Sequence, residues 1–124
     1  DEPDWAPLTC SFSGVWEIQP TALDECRAGA AVADIQIVDV REPHEFSDAL
    51  GHIAGAHLMP LSELAARVAE LDAQRPVVAV CRSGARSAQA TVLLRKAGLQ
   101  RVANLAGGML RWRAEALPVV GGLD

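Results

Sequence analysis

The chain is poor in metal-binding and disulfide-forming residues. Its only cysteines, Cys10, Cys26 and Cys81, are odd in number, far apart and without a C-x-x-C spacing. This excludes a disulfide framework and a cysteine-held structural zinc, and leaves at least one thiol free. His44, His52 and His57 fit no helical metal-ligand spacing, so they read as structural and no metal is expected. No apolar run approaches the roughly 18 residues of a membrane span. Basic charge is not in excess: 11 Lys+Arg against 16 Asp+Glu give a net charge of −5 and a pI near 5.1, which argues against a nucleic-acid-coating protein. No repeat of solenoid period is present. The chain starts at Asp1 and not at Met, so a targeting signal would lie upstream; a cytoplasmic location is the expectation, with the periplasm left open. Half of the 124 residues are apolar, which suffices for one core and not for two domains.

One local absence is more telling. Between Ala73 and Ala114 there is no Asp or Glu, yet Arg75, Arg82, Arg86, Arg95, Lys96, Arg101, Arg111 and Arg113 all fall there. Arg95 and Lys96 read as a solvated helix face. A cationic field matters chemically only if a reactive group lies inside it, and Cys81 does.

Residues 1–15 mix Pro3, Pro7, Gly14 and acids with Trp5 and Phe12 and show no period, so they read as an N-terminal tail whose aromatics dock on the domain or on a second copy. Residues 16–124 read as the domain. Pro20 opens a short helix through Leu23 and Cys26, with Thr21 as a candidate cap and a stop near Gly29. Ile35 to Val40 reads as a buried strand, followed by a polar loop from Arg41 to Glu45 and a turn region marked by Gly51 and Gly55. Leu61, Leu64, Ala65, Val68 and Leu71 follow helical spacing. Val77 to Val80, apolar on both faces, reads as the centre of a parallel sheet. A helix through Val92, Leu93 and Leu94 stops at Gly98, a strand follows from Val102 to Leu105, and a last helix through Leu110 and Trp112 ends before Pro118. Strands alternating with helices predict an α/β domain with a mostly parallel sheet.

In such sheets ligands bind beyond the carboxyl ends of the strands, and Cys81 stands at that end of the central one. The turn behind it contains Gly84 and enters a helix, so backbone N–H groups converge on one point. Helix N-termini and neighbouring cations favour a thiolate, so this nucleophile needs no partner base. Arg82 and Arg86 sit where a helix N-terminus disfavours cations, so each wants an anion. For Arg86 this is a structural carboxylate, Asp39 or Glu42, or substrate; the two roles can coexist. For Arg82, nearer the thiol, substrate is favoured.

Five short stretches in this order resemble the rhodanese family of sulfurtransferases: Val38-Asp39-Val40-Arg41-Glu42, Glu45-Phe46, Gly51-His52-Ile53-Ala54-Gly55-Ala56, Cys81-Arg82-Ser83-Gly84-Ala85-Arg86-Ser87, and Leu105-Ala106-Gly107-Gly108 with Trp112. The resemblance spans Trp16 to Val120. It implies a three-layer α/β domain with a five-stranded, mainly parallel sheet flanked by helices. It also implies that Cys81 takes the outer sulfur of thiosulfate or a similar small anionic donor as a persulfide. Cyanide, a thiol or a protein acceptor then removes that sulfur, with no metal or organic cofactor. Arg82, Ser83, Gly84, Ala85, Arg86 and Ser87 would bind substrate; Asp39, Arg41, Glu42 and His52 would support the loops. Gly55, Gly107 and Gly108 read as backbone necessities and Trp112 as packing beneath the site.

Two other readings compete. Cell-cycle dual-specificity phosphatases and arsenate reductases resemble the same fold but need C-x-x-x-x-x-R, and here the sixth position is Ser87, with Arg86 one residue early and Val80 where a His is usual. A non-enzymatic or carrier module serving a protein partner typically lacks the cysteine. Neither nucleic acid nor a membrane span is expected, and the sequence leaves the oligomeric state open.

Overall fold

The computed structural model describes residues 5–12, 14–28 and 35–122. Its elements are β1 (Leu8–Cys10), β2 (Trp16–Ile18), α1 (Pro20–Ala28), β3 (Gln36–Asp39), α2 (Pro43–Phe46), β4 (His57–Leu58), α3 (Leu61–Arg67), β5 (Val77–Val80), α4 (Ala85–Lys96), β6 (Val102–Leu105) and α5 (Gly108–Ala114). The strands form one sheet in the order β1-β2-β6-β5-β3-β4. All neighbours from β2 to β4 are parallel, and β1 alone runs antiparallel, against β2.

The alternation of strand side chains sorts the core into two halves. Val38, Val77, Ala79, Cys81 and Val102 face Leu64 of α3 and Ala90 and Leu94 of α4. Ile18, Ile37, Val78, Val80, Ala103 and Leu105 face Leu23 of α1 and Met109 and Trp112 of α5. The result is the expected three layers, helix on sheet on helix. Burying both faces is what lets β5 consist only of apolar residues. Trp112 is fully buried, and its indole N–H donates to the Pro118 carbonyl at 2.8 Å.

Three expectations need correction. The sheet has six strands, five parallel ones and the antiparallel β1. The added strand comes from the stretch read as a tail: Leu8 pairs with Ile18 and Cys10 with Trp16. Trp5 does dock on the domain as expected, against the α1/α5 half of the core. An edge strand with Thr9 and Cys10 exposed has no buried alternation for a sequence pattern to reveal. The polar stretch from Arg41 to Glu45, read as a loop, contains the single turn of α2, which Pro43 opens. The expected stop of α1 at Gly29 falls outside the described residues. No helix among the described residues is long and apolar enough to cross a membrane.

Candidate active site

Cys81 follows the last residue of the central strand and shares the sheet face that α4 covers, so its sulfur lies at the floor of the strand-to-helix loop. The Gly84 N–H donates to Sγ at 3.0 Å, and the Ser87 hydroxyl oxygen is 3.2 Å from the same sulfur. Gly84 has a φ of 107°, a left-handed conformation open to glycine at little cost, and it is the residue from which α4 starts. The loop is pinned from the other helix layer. Met109 and Leu110 N–H groups of α5 donate to the Cys81 and Arg82 carbonyls at 2.9 and 3.0 Å. In trans peptides the N–H points opposite to the C=O, so the Arg82 and Ser83 N–H groups turn away from α5. This approach needs Gly108, because a Cβ there would meet the Arg82 and Cys81 carbonyl oxygens at 2.5 Å.

Arg82, Ser83 and Ala85 are exposed around the loop mouth. Arg86 is half-buried and bound to a carboxylate, but that carboxylate is Glu45 and neither Asp39 nor Glu42. Its Nη1 and Nη2 reach Glu45 Oε1 and Oε2 at 2.7 and 2.8 Å. This bidentate pair holds the Glu45 carboxyl down to about 2, aided by the Glu42 N–H donating to Oε1 at 3.0 Å and opposed by partial burial. Ser87 lies fully buried beneath the sulfur and does not face the mouth. Its hydroxyl addresses Cys81 and Asn104.

The supporting residues gather at the same end of the sheet. Asp39 is engaged by Arg41, whose Nε and Nη2 donate to its carboxylate at 2.9 and 2.7 Å, with both side chains about 1% exposed. Arg41 also donates to the Gly51 carbonyl at 2.8 Å and the Glu45 carbonyl at 3.2 Å, tying the end of β3 to α2 and to the following turn. His52 Nδ1 lies 2.9 Å from the Phe46 carbonyl, and its ring stacks on Phe46 with centroids 3.7 Å apart. Glu42 is exposed and closes a capping box with Glu45: its backbone N–H donates to Glu45 Oε1, and its side chain accepts from the Glu45 N–H.

The sequence reading missed Glu45, Asn104 and Glu17 as members of this region. Asn104 was visible as the polar residue of an otherwise apolar strand, and a buried amide needs partners. It donates to the Gly84 carbonyl at 3.0 Å and to Glu17 Oε2 at 3.3 Å. Among the described residues, no three His, Cys, Asp or Glu side chains cluster in a way that could hold a metal.

The Rhodanese-like domain model matches residues 22–115. A protein named sulfurtransferase from Allochromatium vinosum is 42% identical over 91 residues, 73% of this chain and 83% of that protein. The thiosulfate sulfurtransferase GlpE of Shewanella oneidensis is 37% identical over 78 residues, 63% of this chain and 75% of that one. The crystal structure of a rhodanese-related protein from Thermoplasma volcanium superposes with a TM-score of 0.73 at 32% identity, covering 84% of this chain and 96% of the other. With a thiol set at the end of the central parallel strand and ringed by these loops, the chain belongs to the rhodanese family of sulfurtransferases.

Proposed function

We propose that the protein moves a sulfane sulfur from thiosulfate, or a similar small anionic donor, to a thiophilic acceptor through a persulfide on Cys81. The observation that carries this reading is the Gly84 N–H donated to Cys81 Sγ inside a loop whose mouth bears Arg82. In the first half-reaction Sγ attacks the outer sulfur of thiosulfate. A new S–S bond forms, the donor's S–S bond breaks, and its electron pair leaves with sulfite. In the second half-reaction cyanide or a thiol attacks that outer sulfur and the pair returns to Sγ. Arg82 is the cation available to an anionic donor, whereas the Arg86 fork is taken up by Glu45 and acts on the site through its field. Phosphatase chemistry is disfavoured because the sixth position after the cysteine is a buried serine under the sulfur, where no guanidinium can clamp an oxyanion.

Incubation with thiosulfate followed by intact mass measurement should show one added sulfur, removable by cyanide. Cys81→Ser should abolish both the adduct and thiosulfate:cyanide transfer, while Cys10→Ser and Cys26→Ser should retain most of the activity. Arg82→Ala should raise KM for thiosulfate more than it slows sulfur release. Transfer surviving in Cys81→Ser would refute the mechanism. A wild-type protein that takes up no sulfur would favour the non-enzymatic module.

A further inference from the structure

Beneath Cys81 lies a buried chain of polar groups that sulfur binding at the loop mouth does not explain. Strand alternation places Asn104 on the same sheet face as Cys81, and the register of β2 with β6 sets Glu17 beside Asn104. Asn104 Nδ2 donates to the Gly84 carbonyl and to Glu17 Oε2. Those two acceptors fix the amide orientation and turn Oδ1 toward Ser87. The Ser87 oxygen thus lies between two acceptors, Asn104 Oδ1 and Cys81 Sγ. A hydroxyl carries one proton and cannot serve both at once. Ser87 and Asn104 are both essentially solvent-free, so no water substitutes for the bond not made.

The two states of the cysteine ask different things of that proton. A neutral thiol brings its own hydrogen, which Ser87 can accept while donating to Asn104. A Cys81 thiolate brings none and wants a donor. In the persulfide the charge sits on the outer sulfur, toward the mouth, and the inner Sγ is a weak acceptor. Charge arrives on Sγ when the acceptor's lone pair forms its bond to the outer sulfur and the S–S pair collapses onto Cys81.

We propose that Ser87 is the leaving-group donor of the second half-reaction, turning its proton from Asn104 to Cys81 Sγ as the S–S bond breaks, and that Asn104 is the positioning residue that holds this proton between turnovers. The proton stays on the serine throughout; only its hydrogen bond moves. The inference rests on the persulfide reading above and assigns Ser87 to the inner sulfur instead of to the substrate.

The test separates the half-reactions. Protein persulfide is prepared with thiosulfate, or with inorganic polysulfide, and its discharge by cyanide is followed in single turnover by intact mass. Ser87→Ala should slow discharge roughly ten- to a hundredfold, the size expected for one hydrogen bond to a charged group. Loading at a pH where the thiol is fully ionised should be preserved, since the thiolate loses a stabilising donor and becomes more nucleophilic. Asn104→Ala removes the competing acceptor together with the tie to the Gly84 carbonyl; losing the tie slows both half-reactions alike, so the ratio of discharge to loading should stay at the wild-type value or rise. In the Ser87→Ala background the ratio of discharge to loading should not change, because Asn104 reaches the departing sulfur's proton only through Ser87.

Wild-type discharge rates in Ser87→Ala, or equal slowing of both half-reactions, would overturn the proposal. So would an Asn104→Ala change in the ratio of discharge to loading that persists in the double variant. Should Ser87→Ala not fold, a lowered ratio in Asn104→Ala would overturn it alone. Loss of thiosulfate loading in the wild type would instead count against the donor assignment, and the polysulfide arm would still test Ser87.

Discussion

Two arginine–carboxylate pairs stand side by side at the carboxyl end of the sheet, linked by Arg41 Nη1 donating to the Glu45 carbonyl. In the Asp39–Arg41 pair the partners are two residues apart and about 1% exposed. In the Glu45–Arg86 pair they are 41 residues apart, with side chains 20% and 35% exposed. Both forks are bidentate, so geometry does not distinguish them. Burial does. A buried pair has lost its hydration and depends on its partner, so its value appears when one half is removed. A half-buried pair keeps some water, and its charges remain felt at the loop mouth beside Cys81. The first pair therefore fixes the frame on which the site is built, and the second tunes the site itself.

The largest effect should come from breaking the buried pair. Arg41→Ala strands the Asp39 carboxylate in the core and removes the donors to the Gly51 and Glu45 carbonyls. A loss of about 3–5 kcal/mol is expected, enough to threaten folding of a chain this size. Urea unfolding of the variant measures it. Arg41→Lys should recover little, since an ammonium cannot reproduce the planar fork. A midpoint close to wild type would mean that Asp39 finds water and that the two pairs do not differ as argued.

The same contrast explains what could be read from the sequence. Strands β5 and β6 were legible to the residue because a short, wholly buried stretch that is apolar throughout, or broken only by Asn104, has one reading at that length. The place of Cys81 at the strand-to-helix loop was legible too, because it closes such a run and opens a glycine turn. Asp39 was read from its place at the strand end as a candidate partner of Arg86, and its role in the loop ties, like that of Arg41, came only with the family resemblance. The partner of Arg86 was misjudged because it depends on α2: once Pro43 starts a turn, Glu45 comes under the Glu42 N–H and points at α4. The signal was present, an acid three residues after Glu42 with proline at the first helical position. β4 was missed for another reason, since His57–Leu58 is a strand only through its pairing with β3.

A smaller effect is expected at the half-buried pair. Arg86→Ala should lower stability by about 1–2 kcal/mol, between the limits for exposed and buried pairs. It should also weaken thiosulfate loading by removing positive charge near the sulfur. Glu45 gives this contribution a pH signature. Its carboxyl lies at about 2 in the folded protein against an ordinary value of 4.5, chiefly because Arg86 hydrogen-bonds the ionised form. A depressed carboxyl stabilises fully above its unfolded value and loses that contribution as pH falls toward its folded one. The stability gap between wild type and Glu45→Gln should therefore be constant above about pH 5 and close progressively towards pH 2. Denaturation midpoints across that range check it. A gap that stays open at pH 2 would assign the effect to shape and not to charge.

The smallest effect belongs to a third pair that extends the series to the surface. Arg111 Nε donates at 2.8 Å to Glu115, one turn on and just past the end of α5, with side chains 45% and 29% exposed. Arg111 borders the Cys81 loop through Gly107: an added Cβ on Gly107 would come within 2.6 Å of the Arg111 stem, and one on Gly84 would stand 3.6 Å from the Gly107 nitrogen. Proximity could suggest that Glu115 matters for catalysis. The physics says otherwise: the stem is held by packing on the glycine turn whether or not the guanidinium is paired, and an exposed i,i+4 pair contributes only about 0.3–0.5 kcal/mol. Glu115→Ala should therefore shift the unfolding midpoint by a barely measurable amount, and 1 M salt, with a screening length of about 3 Å, should erase even that. The Arg41→Ala deficit should survive the same salt, because no ion reaches the buried Asp39. Equal salt sensitivity of the two variants would show that burial is not what ranks these pairs.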